Sequence, residues 1–226
     1  MPDTKFSFAA LKEHLRKYLW VYLIGVAACL LGTNLLWTTT APRLTNEQVV
    51  TVYLADAYTN PEPLSDVADA MLKATQPYDE NLKLVEFQSL QFSEEEYTSI
   101  MLLITRLAVG EGDAFLASQS VMDQLVQSQA LEPLDQYVAD GWLSEYDLPP
   151  YYATYTDEEE GVSETFLAAL KLDNYPILKE KGAFFSEGSY LCVTSNGGNV
   201  DTTMKALEAM MAALTEEQNA QPETAE

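Results

Sequence analysis

The sequence predicts an α/β fold, a mostly parallel sheet with helices on both faces, preceded by one transmembrane helix. Three observations predict it. Residues Tyr18 to Trp37 run twenty positions without a charge. From Val49 to Gln129, β-branched or apolar runs alternate with helical periodicity in the order βαβαβα, the pattern of crossover-connected strands. The charge is also divided: residues 1–43 carry five basic and two acidic side chains (+3), and residues 44–226 carry seven basic and 33 acidic ones (−26). The net −23 of the 226 residues, with a pI near 4.1, excludes a nucleic-acid binder, because phosphates must be met by clustered Lys and Arg. One His and two Cys exclude a zinc finger, a three-His metal site or a disulfide framework.

The first element is the apolar run at 18–37. At ~1.5 Å per residue a helix of this length spans ~30 Å, the hydrocarbon thickness of a bilayer. Tyr18, Trp20 and Tyr22 mark one end and Trp37 the other, as aromatics do at headgroup level. Lys5, Lys12, Arg16 and Lys17 precede the run, so the positive-inside rule places residues 1–17 in the cytoplasm and the rest outside. Two processing routes compete with an uncleaved signal anchor. A cleaved signal peptide has an apolar core of roughly 7–15 residues, and Pro42 after Ala41 makes a poor cleavage junction. Val26-Ala27-Ala28-Cys29 is similar to a lipobox, but the residues after Cys29 stay apolar. A buried core helix of a soluble protein fits less well, because the run is long and evenly apolar.

Residues 38–45 form a polar linker, and an extracytoplasmic domain is expected over 46–214. Val49 to Leu54 is a β-branched strand bounded by Asp56 and Asn60-Pro61. Leu64, Val67, Ala68, Met71 and Leu72 follow at helical spacing. Leu82 to Phe87 is a second strand. Ser93-Glu94-Glu95-Glu96 reads as a capping box opening a helix whose apolar stripe is Tyr97, Ile100, Met101, Ile104, Leu107 and Ala108. Asp113 to Ala117 is a third strand, and Ser118 to Gln129 a helix facing inward with Val121, Met122, Leu125 and Val126. Residues 131–161 break the pattern, with four Tyr and two Pro between Tyr146 and Tyr155 and an acidic turn at 157–161. Glu164 to Leu170 and Ser189 to Thr194 read as strands, Val200 to Leu214 as the last helix, and 215–226 as an acidic flexible tail.

The chemistry on offer is limited. A Ser–His or Cys–His pair needs a histidine in the outer domain, and the one His of the chain is His14, in the cytoplasmic segment. Cys192, mid-strand between Leu191 and Val193, reads as a buried small hydrophobe. Among so many carboxylates, an apparent acid–base pair is no evidence of one. Asp157 to Glu160 lacks the alternating ligand spacing of a calcium loop and reads as a solvated turn. Neither a metal nor a cofactor is expected. Ligand crevices in α/β sheets lie beyond the strand ends, where Asp56 and Tyr58 follow the first strand and Ser118 and Gln119 the third. Those positions also suit turns and N-caps. The tyrosines at 146, 151, 152 and 155, with Trp142, suit either loop packing or a binding surface; Tyr151, Tyr152 and Tyr155 join the candidate site.

Gly112-Asp113-Ala114-Phe115-Leu116, the helix from Ser118, and Ala130-Leu131-Glu132-Pro133-Leu134-Asp135 together resemble a stretch of the extracellular solute-binding proteins of bacterial ABC importers, of the periplasmic-binding type II fold. Ala130 stands where that family usually has Gly. Tyr190 to Asn196 and the Val200 helix are similar to the family's late strand and helix. The resemblance implies one lobe of such a protein, since the stretch that would build a second lobe is reduced to residues 138–163. It implies a non-enzymatic, membrane-anchored extracytoplasmic binding or accessory module. Its partners would be the lipid bilayer, through residues 18–37, and a small solute or an envelope or transporter protein. The alternative is a structural or protein-interaction module that keeps the fold without a small-molecule site.

Overall fold

The computed structural model describes residues 8–40, 44–157, 162–186 and 188–220. The chain divides into two units, Met1–Arg43 and Leu44–Glu226. In the first, a single helix α1 (Phe8–Thr40) departs from helical geometry at Tyr18 (φ −112°, ψ 16°). Its segment Arg16–Thr38, 23 residues, is long and apolar enough to cross a membrane.

The second unit is an α/β domain. Its elements are β1 (Val49–Asp56), α2 (Ser65–Thr75), β2 (Leu84–Gln91), α3 (Tyr97–Ala108), β3 (Ala114–Ala117), α4 (Gln119–Gln127), α5 (Asp135–Ala139), β4 (Pro150–Asp157), β5 (Val162–Lys171), α6 (Ile177–Glu180), β6 (Tyr190–Val193) and α7 (Val200–Ala220). The six strands form one sheet in the order β2-β1-β3-β6-β5-β4. β1 pairs in parallel with β2 (Val52 opposite Phe87) and with β3 (Val52 opposite Ala114), as helical crossovers through α2 and α3 require. β6 then inserts antiparallel between β3 and β5, and β4 is antiparallel to β5. The sheet is therefore mixed: β1, β2, β3 and β5 run one way, β6 and β4 the other.

Alternation along the inner strands splits two cores. Val50, Val52 and Leu54 of β1, Leu116 of β3, and Leu191 and Val193 of β6 face α2 and α7, where Val67, Met71, Met204, Leu207, Met211 and Leu214 are buried. Tyr53 and Ala55, Phe115 and Ala117, and Cys192 face α3 and α4, against Leu103, Leu107, Val121, Met122 and Leu125. Helices cover both faces, so β1 is a continuous apolar run instead of an alternating one.

The structure corrects four local expectations. The capping box at Ser93 does not form: α3 begins at Tyr97, and Glu96 before it makes no side-chain cap. The Ser99 hydroxyl ties the turn instead, 2.7 Å from Ser93 O and 2.8 Å from Glu96 O. The buried face of α3 is Ser99, Leu103 and Leu107, while Tyr97, Met101 and Ile104 are exposed. Ile100 to Ile104 is apolar at every position, so periodicity does not fix which side turns inward. The irregular 131–161 stretch holds a strand, β4, at the sheet edge, where its leading Pro150 costs no ladder hydrogen bond. The tail expected from 215 is helical to Ala220: Glu217 pairs with Lys181 at 2.8 Å, and Gln218 Nε2 donates to Asn174 O at 3.3 Å. Residues 221–226, and Glu158 to Gly161 of the acidic turn, lie outside the described residues.

Candidate functional site

Because β1, β3 and β5 run the same way and β6 and β4 oppose them, three strands end where two others begin. That end of the sheet gathers Asp56 from β1, Ser118 and Gln119 after β3, Lys171 from β5, Tyr190 from β6 and Tyr151 from β4.

Gln119 is the hub. Its Nε2 donates to Asp123 Oδ1 at 2.8 Å and to the Tyr151 hydroxyl at 3.3 Å, and its Oε1 accepts from the Tyr190 hydroxyl at 2.5 Å. The Tyr151 and Tyr190 rings meet edge to face, with centroids 4.9 Å apart and planes at 66°. Lys171 Nζ sits 6.0 Å from the Tyr151 centroid and 5.8 Å from that of Tyr190, within reach of both ring quadrupoles. The ammonium makes none of the ion pairs found within 4.0 Å among the described residues. Burial raises the Tyr190 hydroxyl above its ordinary pKa, and Tyr151, Asp173 and Asp123 push the same way. It therefore stays a neutral donor through the physiological range.

Asp56 and Ser118 are absorbed by the fold. Asp56 is 4% exposed; one carboxylate oxygen accepts from Ala57 N at 2.8 Å and the other from Ser186 N at 3.1 Å. This pins the segment before β6 onto the end of β1. Ser118 is buried as the residue preceding α4, its hydroxyl 3.2 Å from Ser120 Oγ and its N–H donating to Ala55 O at 3.0 Å. Tyr58, 61% exposed, packs edge to face on Phe185, 42% exposed, with centroids 5.1 Å apart. The turn carrying Tyr58 is held by a Thr59–Phe184 bridge and by Thr59 Oγ1, 2.7 Å from Ser89 Oγ.

The tyrosine cluster does not act as a unit. Tyr151 belongs to the site; Tyr152 is exposed on edge strand β4 beyond a register irregularity, and Tyr155 lies further along it, half-buried. Tyr146 packs on the main core, and Trp142 is buried there, its Nε1–H donating to Met204 O at 3.2 Å. Lys171, Tyr190 and Phe185 escaped the sequence reading. Lys171 lies one residue past the strand expected at Glu164 to Leu170, and Tyr190 is second in the one expected at Ser189 to Thr194, but only the sheet order sets them side by side.

The group offers hydroxyl and amide hydrogen bonds, aromatic faces and one cation. Ser118 Oγ has the Ser120 hydroxyl as its hydrogen-bond partner. Scanned against protein-family models the chain finds no match, and a search of the curated proteins finds none either.

Proposed function

We propose that the protein is a non-enzymatic binding module, anchored with its N-terminus inside and its α/β domain outside the cell membrane, and that the end of the sheet around Gln119, Tyr151, Lys171 and Tyr190 is its recognition surface. The observation that carries this reading is Lys171. In a domain with 33 acidic side chains, this ammonium lies over two tyrosine rings with no carboxylate within 4.0 Å among the described residues. A small polar solute with an apolar face matches such a surface. Kinship with solute-binding proteins of ABC importers is supported by where the resembling segments lie. Leu131 bridges to Thr194, Glu132 N donates to Val193 O and Ser195 N to Ala130 O, so the Ala130–Asp135 segment and the late strand pack as one piece beside β3.

The test is thermal unfolding of the full chain in detergent against sugars, amino acids, short peptides and divalent ions, comparing wild type with Lys171→Ala and Gln119→Ala. A ligand at 100 times its Kd adds about 2.7 kcal/mol, a visible rise in midpoint. The expected result is a saturable rise with one class that both variants lose. A folded domain with no rise from any class rejects the solute-receptor reading and favours the second one, a protein-interaction module of the cell envelope. What favours the latter is the exposed apolar face of α3, with Tyr97, Met101, Leu102 and Ile104.

A further inference from the structure

At the end of the sheet where β1 begins lies a cavity of about 310 Å³, within the range of small-molecule sites. Its walls come from β1 (Tyr53), β2 (Glu86, Gln88), the last turn of α3 (Arg106) and the turn into β3 (Glu111, Asp113). The turn can approach because Gly112 takes φ +91°, and a Cβ there would fall 2.6 Å from the Tyr53 ring.

Arg106 is the unusual member. Its guanidinium lies 4.9 Å from the Tyr53 centroid, and its Nη1 donates to the Tyr53 hydroxyl and, at 3.5 Å, to Gln88 Oε1. Both bonds use the same nitrogen, so Nη2 and Nε remain for a ligand. Among the described residues no carboxylate lies within 4.0 Å of it, although Glu86 and Glu111 line the same cavity. Glu86 is held by Gln88, whose Nε2 donates to it at 2.6 Å, and Glu111 is exposed. Asp113 at the back is committed, one oxygen accepting from Thr51 N at 2.8 Å and the other from Gly198 N at 3.3 Å. The cavity thus keeps a forked cation apart from two carboxylates. A lone anion would meet Arg106 against two like charges, and a lone cation would meet the reverse. A molecule carrying both signs satisfies both walls.

We propose that this cavity binds a small zwitterion, an α-amino acid being the simplest, with its carboxylate on Arg106 and its ammonium between Glu86 and Glu111. The site lies at the opposite end of the sheet from Lys171 and stands independently of the recognition surface proposed above.

The experiment is calorimetric titration of the full chain in detergent with glycine and L-alanine, and with acetate and methylammonium as half-ligands. The expected result is saturable binding of glycine or L-alanine, at least tenfold tighter than either half-ligand. Arg106→Gln should weaken it at least tenfold and Glu111→Gln severalfold. Should Arg106→Gln fail to fold by circular dichroism, Glu111→Gln and Glu86→Gln decide, since Glu111 is exposed on a turn. No saturable binding of either amino acid overturns the proposal, as does acetate binding equally well. Loss of L-alanine binding in Lys171→Ala with its retention in Arg106→Gln also overturns it, placing the zwitterion at the other end of the sheet.

Discussion

Cys192 lies at the centre of the sheet, its thiol fully buried and donating to Phe115 O at 3.8 Å. Burial pushes that thiol up to about 12, because a thiolate there would lose its hydration without gaining a cation. The unfolded chain ionises its cysteine near the ordinary value of 9.0. The folded pKa is the higher one, so between about 9 and 12 the unfolded state has released a proton that the folded state retains. Stability is then full below 9 and falls as pH rises through this window. The raised Tyr53, Tyr137, Tyr146 and Tyr190 hydroxyls act in the same direction at higher pH. Urea unfolding of wild type and Cys192→Ala between pH 8 and 11 should show a shallower alkaline decline in the variant. Parallel curves would contradict the assignment.

Among the elements, α7 holds the larger core together. It buries Met204, Ala206, Leu207, Met210, Met211 and Leu214 against α2 and the sheet, and Trp142 reaches its backbone at Met204. Leu207, fully buried at its middle, should cost about 2–5 kcal/mol when cut to Ala, read as a lower urea midpoint at unchanged slope. A loss under 1 kcal/mol would mean that the site collapses around the gap. The last turns behave differently. The Lys181–Glu217 pair is partly exposed, with side chains 20% and 33% accessible, and such pairs are worth about 0–1 kcal/mol. α3 shows the opposite case, a helix apolar nearly all round that buries one side and leaves Tyr97, Met101, Leu102 and Ile104 exposed.

At the scale of the whole molecule, charge is the dominant property. With seven basic and 33 acidic side chains, the domain repels itself and any anionic surface, and both effects weaken as salt shortens the Debye length to ~8 Å at 0.15 M. Residues 44–220 should therefore stay in the supernatant when spun with anionic phospholipid vesicles at moderate salt, and their unfolding midpoint should rise with added NaCl. Co-sedimentation with the vesicles would contradict this. Among the described residues, five of the domain's seven basic groups, Lys73, Lys83, Arg106, Lys171 and Lys179, stand without ion pairs; Lys171 and Arg106 are the two that lie over tyrosine rings, one at each end of the sheet, which is why each is read as a ligand contact.

The sequence by itself determined the apolar helix around Tyr18 to Trp37, the three parallel strands at Val49, Leu84 and Ala114, their crossover helices and the buried state of Cys192. These follow from local causes: an uncharged run, β-branched content, and a period of 3.6 or 2. Tertiary structure decided the rest. The side of α3 that turns inward was settled by packing, because five consecutive apolar residues have no phase of their own. β4 became a strand because an edge tolerates Pro150 and an exposed Tyr152. The sites were the least legible part. Gln119 and Tyr151 were candidates, but Lys171 and Tyr190 joined them only when β6 inserted antiparallel between β3 and β5. Asp56 and Ser118, equally plausible as a sequence, were consumed by backbone and hydroxyl hydrogen bonds. Arg106 gave no signal, since its isolation depends on what β1, β2 and the Gly110–Gly112 turn bring, or fail to bring, within 4 Å of it. A site is a set of distances between residues far apart in the chain, and those distances are set by strand order, which local pattern does not encode.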